Sequence, residues 1–346
     1  MNRVPVMVIT LCRFEHFCRC IQTLQENYLA EETELYIGLD YPVKEAHWDG
    51  YRRISSMLDK GIEGFKEVHI IKHDRNLGPI KNYQTIRDII YKKFDCYIYT
   101  EDDNVFSKNY LEYMNCCMDY FRSNAKVLSV CGYMYPIKLE NVESNVIGCS
   151  TYFSCYGYGM WRERDALLSA NITIEQFRQM YCNRKKMREL RKVSPNQYCN
   201  FVKAILGYTG DELIRDGKIR ESDLACGLYM FFHGYQMIFP TMTKVRNCGF
   251  DGSGENCDIQ RKWKVSSKQM IYRKYDFSKQ EMDKAEHFRL NSNGFDSQNG
   301  KNMLSILLNG FFRIPPKEYV LSVLCYELSL LFGMDKIAHI IEKVRK

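Results

Sequence analysis

The stretch Cys96-Tyr97-Ile98-Tyr99-Thr100-Glu101-Asp102-Asp103 decides the reading of this chain. β-branched and aromatic residues favour an extended strand, and this one runs directly into three carboxylates. Adjacent acids repel unless a cation or an array of N–H groups compensates them. A hard divalent ion is the simplest compensation. Oxygen-only ligation favours Mg²⁺ or Mn²⁺, typically held by one or two carboxylates together with the phosphates of a substrate. Strand alternation predicts that Glu101 and Asp103 share a face while Asp102 points elsewhere. A second reading stands beside this one, in which Asp and Asn of EDDN cap a following helix.

Outward from this strand, short apolar runs alternate with helical patterns, the signature of βαβ units and a parallel sheet. VPVMVIT ends at Thr10, ELYIGLDYP stops at Asp40 and EVHIIKHD at Asp74. Helical spacing follows over residues 14–27, again over 80–91 and over 110–121. The fold class is therefore α/β, with a nucleotide-binding type of sheet covered by helices. In open α/β sheets ligands bind at the carboxyl ends of the strands, so Thr10, Asp40, Asp74 and the acids after Thr100 should converge on one crevice. Beyond residue 127 a further strand, VLSVCGYMYP, closes at Pro136. A basic helix then spans residues 178–192, a Gly-rich loop GFDGSGEN occupies 249–256, and an apolar string with a basic tail fills 317–346.

Of the 346 residues, 45% are hydrophobic and 26% charged, which is ordinary globular usage and excludes disorder, collagen-like repeats and coiled coils. The formal charge of +7 suits phosphate-bearing ligands or an anionic membrane surface and does not call for nucleic acid. Fifteen cysteines, with no CxxC pair, read as reduced thiols and argue against a disulfide framework or a zinc ribbon. No secretory signal opens the sequence and no apolar window reaches membrane-spanning length, so the expected location is cytoplasmic, with peripheral contact at the inner face of the membrane.

Taken in order, VITLCRFEH (8–16), GLDYP (38–42), HDRNLGPIKNY (73–83) and YIYTEDDNVFSKNYL (97–111) resemble the GT-A glycosyltransferases. The similarity is to glycosyltransferase family 2 and, through the spelling EDD, to the N-acetylglucosaminyltransferase I type. It covers roughly the first 130 residues. The resemblance implies a Rossmann-like donor half over 1–135 and an acceptor and catalytic-base half over 136–260; the basic helix over 183–192 and the amphipathic C-terminal pattern point to a helical, membrane-associating extension over 261–346. It implies an inverting, Mn²⁺- or Mg²⁺-dependent transfer from a nucleotide-diphosphate sugar, with UDP expected. The acceptor would be a glycan or lipid-linked saccharide of surface polysaccharide synthesis.

Carried over by position, the resemblance puts Thr10 and Arg13 beside the uridine diphosphate and Asp40 on the base ring. Asn76 and Lys81 would line the donor pocket, Asp103 would ligate the metal, and Glu101 and Asp102 would bind the sugar or ribose. Residues 219–240 are similar to the segment in which an acid opens a helix and a strand returns to the site. Asp223 matches the family's general base, with Asp211 and Glu221 as competitors because Ser222 replaces the usual Glu. The stretch 152–167 resembles the acceptor side, where Gly157 allows close backbone approach and Tyr156, Tyr158 and Trp161 would stack on a sugar. Two rivals carry different sequence demands: a sugar-phosphate nucleotidyltransferase, which would want a Gly-rich basic loop after the first strand in place of Leu11-Cys12-Arg13-Phe14, and a glycan-binding protein that kept the fold without the chemistry.

Overall fold

A computed structural model describes residues 3–137, 139–140, 142–207, 214–215, 218–219, 222–253, 277–293, 295 and 300–345. The four apolar runs of the first third form β1 Val6–Thr10, β2 Glu34–Leu39, β3 Glu67–Lys72 and β4 Cys96–Glu101. Next come β5 Asn104–Phe106, β6 Val127–Cys131, β7 Val146–Cys149, β8 Tyr158–Trp161, β9 Ile214–Arg215, β10 Lys218–Ile219, β11 Gln236–Pro240 and β12 Val245–Asn247. Eight strands make one sheet in the order β3-β2-β1-β4-β8-β6-β11-β7. The strands β3, β2, β1 and β4 are mutually parallel; β8 runs antiparallel between β4 and β6, and β11 is parallel to β6. β5 and β12 form a separate antiparallel ribbon.

β1, β2 and β4 are buried along nearly their whole length, as their apolar runs without alternation require of a sheet covered on both faces. The helices α1 Phe14–Gln25 and α2 Trp48–Asp59 belong to the crossovers from β1 to β3, and α3 Gly78–Ile90 to the crossover back to β4. Strand order therefore reverses between β1 and β4, the topological switch point at which such sheets bind ligands. α3 lies so close to β2 that a Cβ on Gly38 would meet Asn82 Oδ1 at 2.3 Å and Ile86 Cγ1 at 2.8 Å. Asn82 Nδ2 also donates to the Gly38 carbonyl at 3.0 Å.

The second half adds α4 Tyr110–Phe121, α5 Arg162–Asn171, α6 Ile174–Cys182, α7 Arg184–Val193, α8 Pro195–Ile205 and α9 Asp223–His233. The single basic helix expected over 178–192 is two helices. Asn183 breaks it with ψ 85° and caps α7 by accepting from Lys186 N at 3.1 Å. Three C-terminal helices, Gly300–Phe311, Pro316–Phe332 and Met334–Arg345, attach through buried Leu304, Leu308, Tyr326 and Ile337 and through polar contacts. Thr151 Oγ1 bonds Ser305 Oγ at 2.6 Å and the Tyr181 hydroxyl bonds Ser329 Oγ at 2.9 Å. No disulfide links the described cysteines, and no helix among the described residues is long and apolar enough to cross a membrane.

At the amino ends of β2 and β3, away from the switch point, Glu34, Glu67 and His69 cluster. Lys93 Nζ donates to both oxygens of Glu34 at 2.7 and 2.8 Å, with Lys66 at 3.8 Å, so this group carries its own counter-cations.

Candidate functional site

The register of β1 on β4 sets Ile9 opposite Glu101. One residue further, Thr10 Oγ1 donates to Asp102 Oδ2 at 2.7 Å. β4 ends at Glu101, and Asp102 and Asp103 form the turn into β5. The expectation that Asp102 points away from Asp103 is thereby corrected: alternation stops with the strand, and the turn sets both carboxylates on one guanidinium. Arg13, immediately before α1, donates through Nη1 to Asp103 Oδ2 at 2.8 Å and through Nη2 to Asp102 Oδ1. The helix-cap reading of EDDN also falls, because β5 rather than a helix follows the acids.

Asp102 and Asp103 are 3% and 6% exposed. Burial outweighs Arg13 and pushes the Asp102 carboxyl above its usual range. Glu101, which accepts from the Tyr99 hydroxyl at 3.3 Å, is pushed up to about 8 by burial, then by Asp103, with Asp102 and Asp223 adding. For Arg13 itself, desolvation is outweighed by Asp102 and Asp103, and its pKa rises above the normal value. Arg13 is thus a protein-borne counter-cation to Asp102 and Asp103.

Sequence reasoning missed the other support of Asp103. β12 pairs with β5, Arg246 opposite Val105 and Asn247 opposite Asn104. This brings Asn247 Nδ2 to Asp103 Oδ1 at 2.9 Å, and Cys248 N to the Asp103 carbonyl at 2.8 Å. Gly249 follows. A Cβ there would lie 2.0 Å from Asp103 Oδ2 and 2.8 Å from Cγ. Gly249→Ala must therefore displace the carboxylate or the loop; we expect a loss of about 1–3 kcal/mol in urea unfolding, whereas wild-type stability in this variant would contradict the tight approach. The only local signal was the Asn-Cys-Gly run at the entrance of the Gly-rich loop.

That loop is anchored in the structure. Asp251 Oδ2 meets His16 Nε2 of α1 at 2.9 Å, and Ser253 donates to Asp251 Oδ1 from its backbone at 2.9 Å and its hydroxyl at 2.6 Å. These bonds outweigh burial and hold Asp251 down to about 2. Residues 254–256 of the loop lie outside the described residues.

Asp40 is engaged by the start of α3. It accepts from the backbone N–H groups of Tyr41 and Leu77 at 2.8 Å and Gly78 at 2.9 Å, and from Asn76 Nδ2 at 3.3 Å. A carboxylate at a helix N-terminus satisfies otherwise orphaned donors. Asn76 Nδ2 also donates to the Tyr41 carbonyl at 2.6 Å. Beside them Tyr41, Trp48 and Tyr51 form an edge-to-face aromatic cluster at 5.4 to 5.9 Å. Lys81 is exposed on the first turn of α3, and no hydrogen bond or ion pair of its ammonium links it to the acids.

Asp223 begins α9. Ser222 is the N-cap, accepting from Ala225 N at 3.3 Å. Asp223 Oδ2 lies 4.0 Å from Cys155 Sγ, and its charge is one of those acting on Glu101. The start of α9 thus lies within electrostatic range of Glu101. The competitors Asp211 and Glu221 lie outside the described residues.

On the expected acceptor side, Gly157 has φ +66°, and a Cβ there would press on Tyr110 and Val245 at 2.9 Å. Tyr156 is partly exposed, edge-on to Tyr133 at 5.2 Å and Phe250 at 6.5 Å. Tyr158 and Trp161 need correction. As residues of β8 between β4 and β6 they are 7% and 2% exposed, so neither offers a face to a sugar. Tyr158 instead packs on Tyr97, Tyr99 and Phe153.

No family model and no curated protein sequence matches the chain. Among solved structures it is similar to S. aureus TarS, with 13% identity and a TM-score of 0.33 over 49% of this chain and 29% of that one. It is also similar to the mannosyltransferase PcManGT from Pyrobaculum calidifontis in complex with GDP-Man and Mn²⁺, with 12% identity and a TM-score of 0.31 over 46% and 45% of the two chains. For mouse xyloside xylosyltransferase 1 the values are 9% identity and 0.32, over 51% and 74%. The chain spans less than half the length of the first two.

Proposed function

We propose that this protein is an inverting glycosyltransferase of the GT-A type, moving a sugar from a nucleotide-diphosphate donor, UDP-sugar in the first instance, onto a glycan or lipid-linked saccharide. The observation that carries the reading is the Thr10, Arg13, Asp102 and Asp103 group at the switch point between β1 and β4, with Asp223 within electrostatic range of Glu101. Charge development on the leaving diphosphate is the main barrier in such a transfer, and preorganised cations lower it. In this reading Arg13 faces the diphosphate, Asp223 takes the proton of the acceptor hydroxyl, and Tyr156 contributes to the acceptor side. Glu101 and Asp102 meet the sugar and ribose. Asp40 and Asn76 shape the loop at the base ring, and Lys81, exposed on the first turn of α3, would meet the donor at the rim of the pocket.

The donor set fits a hard divalent ion. Each Asp103 oxygen takes one hydrogen bond, from Arg13 or Asn247, and a carboxylate oxygen has two lone pairs. Asp103 would hold Mn²⁺ or Mg²⁺, which when bound neutralises the phosphates. A second reading is favoured by the pairing of both acids with Arg13: the guanidinium is itself the permanent cation and no metal is needed.

Melting-temperature titration with uridine, guanosine and cytidine diphosphates, with and without Mn²⁺, tests the proposal. One nucleotide should raise the midpoint, and on the metal reading only with Mn²⁺. In Asp103→Ala the metal-dependent part of that shift should vanish, at a cost of about 1–3 kcal/mol in stability from the orphaned Arg13 and Asn247 donors. No shift with any nucleotide would overturn the donor assignment.

A further inference from the structure

A cavity lies apart from the acids, between the turn of residues 241–244 that joins β11 to β12, Asn145 just ahead of β7, and the segment 283–289. At ≈ 290 Å³ it stands at the small end of ligand pockets, which run from about 300 Å³ upward.

Its wall contains a buried charge. Lys244 is 3% exposed, which is unusual for a lysine. The ammonium pairs with Asp283 Oδ2 and lies 5.1 Å from the centroid of the Phe288 ring. Asp283 is held in turn, since Asn109 Nδ2 donates to Oδ2 at 3.1 Å and the Ala285 N–H donates to Oδ1 at 2.9 Å. A buried ion pair adds little to stability over well-packed apolar side chains of similar volume. Both partners keep hydrogen-bonding capacity: an ammonium has three donors and a carboxylate about four acceptor sites, of which these bonds use one and three. The Thr241 hydroxyl, which also lines the cavity, has no hydrogen-bond partner among the described residues.

The balance of charge decides the class of ligand. Lys244 is matched by Asp283, and His287 Nδ1 meets Glu112 Oε1 at 2.9 Å; exposed Arg289 has no acid partner among the described residues. An anion approaching Lys244 meets the Asp283 carboxylate, and a cation approaching Asp283 meets the ammonium. A hydroxyl both donates and accepts. Two adjacent hydroxyls can therefore accept from Lys244 Nζ and donate to Asp283 Oδ1, using the capacity that each partner retains. Phe288, lining the same cavity, supplies apolar surface for the C–H face of a sugar ring.

We propose that this cavity is a saccharide site, holding one pyranose unit of a glycan through adjacent hydroxyls on the Lys244–Asp283 pair, with Thr241 and Phe288 completing the contact. Lys244 precedes Asn247 by three residues of extended chain, about 10 Å, and Asn247 supports Asp103. Neighbouring units of the same glycan are thus within reach of the crevice. The binding site stands on the cavity wall alone and does not require the proposed transfer.

Saturation-transfer NMR on the full chain with glucose, galactose, mannose and N-acetylglucosamine, each alone, tests it. At least one of these sugars should bind at millimolar concentration. Lys244→Met/Asp283→Asn removes the pair without stranding either charge and should weaken that binding about tenfold or more, the worth of a pair of hydrogen bonds. Thr241→Val, which replaces only a hydroxyl by a methyl, should weaken it several-fold at an unchanged melting temperature, and carries the test if the double variant does not fold. Absence of transfer to every one of these sugars overturns the proposal, as does transfer that neither variant weakens, the result expected of a sugar bound in the crevice instead. Displacement of the sugar by inorganic phosphate at constant ionic strength would make the cavity an anion site and overturn the saccharide assignment.

Discussion

Asp223→Asn is expected to retain nucleotide binding and to lose turnover by about 10²-fold or more, the usual contribution of a positioned general base. Asparagine keeps the size of the side chain and its place in the first turn of α9, behind the Ser222 cap, so the fold has little to lose. What disappears is the capacity to take a proton. Release of nucleoside diphosphate in the presence of acceptor gives kcat, and the nucleotide-induced melting shift reports donor binding. A turnover loss with the shift intact is the expected pair of results. Full turnover would remove Asp223 from the mechanism and transfer the role to Asp211 or Glu221.

The parallel half of the sheet was legible chiefly because β1, β2 and β4 are buried on both faces and so read as unbroken apolar runs. Thr10, Asp40 and Glu101 lie at or just beyond the strand ends, where the sequence placed them. α4 begins at Tyr110 and ends at Phe121 as its periodicity predicts. Legibility failed where a contact is made across the chain. Asn247 reaches Asp103 only because β12 pairs with β5, and nothing local to either segment announces that pairing. Tyr158 and Trp161 failed for a related reason: glycines flanking aromatic residues suggest an open turn, but insertion of β8 between β4 and β6 turns the same residues into core. The break at Asn183 was locally readable, since an Asn before a charged run is a good N-cap, yet the continuous basic composition hid it. At the acids the sequence called for a divalent ion; the structure pairs Asp102 and Asp103 with Arg13.

Arg13→Ala is expected to produce the largest loss of stability, about 3–5 kcal/mol, because it strands two buried carboxylates rather than removing a surface pair. The side chains of Asp102 and Asp103 are 4% and 8% exposed, and that of Arg13 is 21% exposed, so solvent screens this site little. Urea unfolding measures the loss, and Arg13→Lys, which keeps the charge but not the two-pronged geometry, should recover part of it. Asp103→Asn in the Arg13→Ala background should cost less than the sum of the single changes, since it relieves the repulsion that the first exposes. The same variant separates the two readings of the site. If Asp103 and its neighbours accept a hard ion, Mn²⁺ should restabilise Arg13→Ala, by about 2.7 kcal/mol at a hundredfold excess over its dissociation constant, and more than it stabilises the wild type. If Mn²⁺ leaves the variant as unstable as before, the guanidinium is the permanent cation of this centre, and the leaving diphosphate has to be met by Arg13 alone.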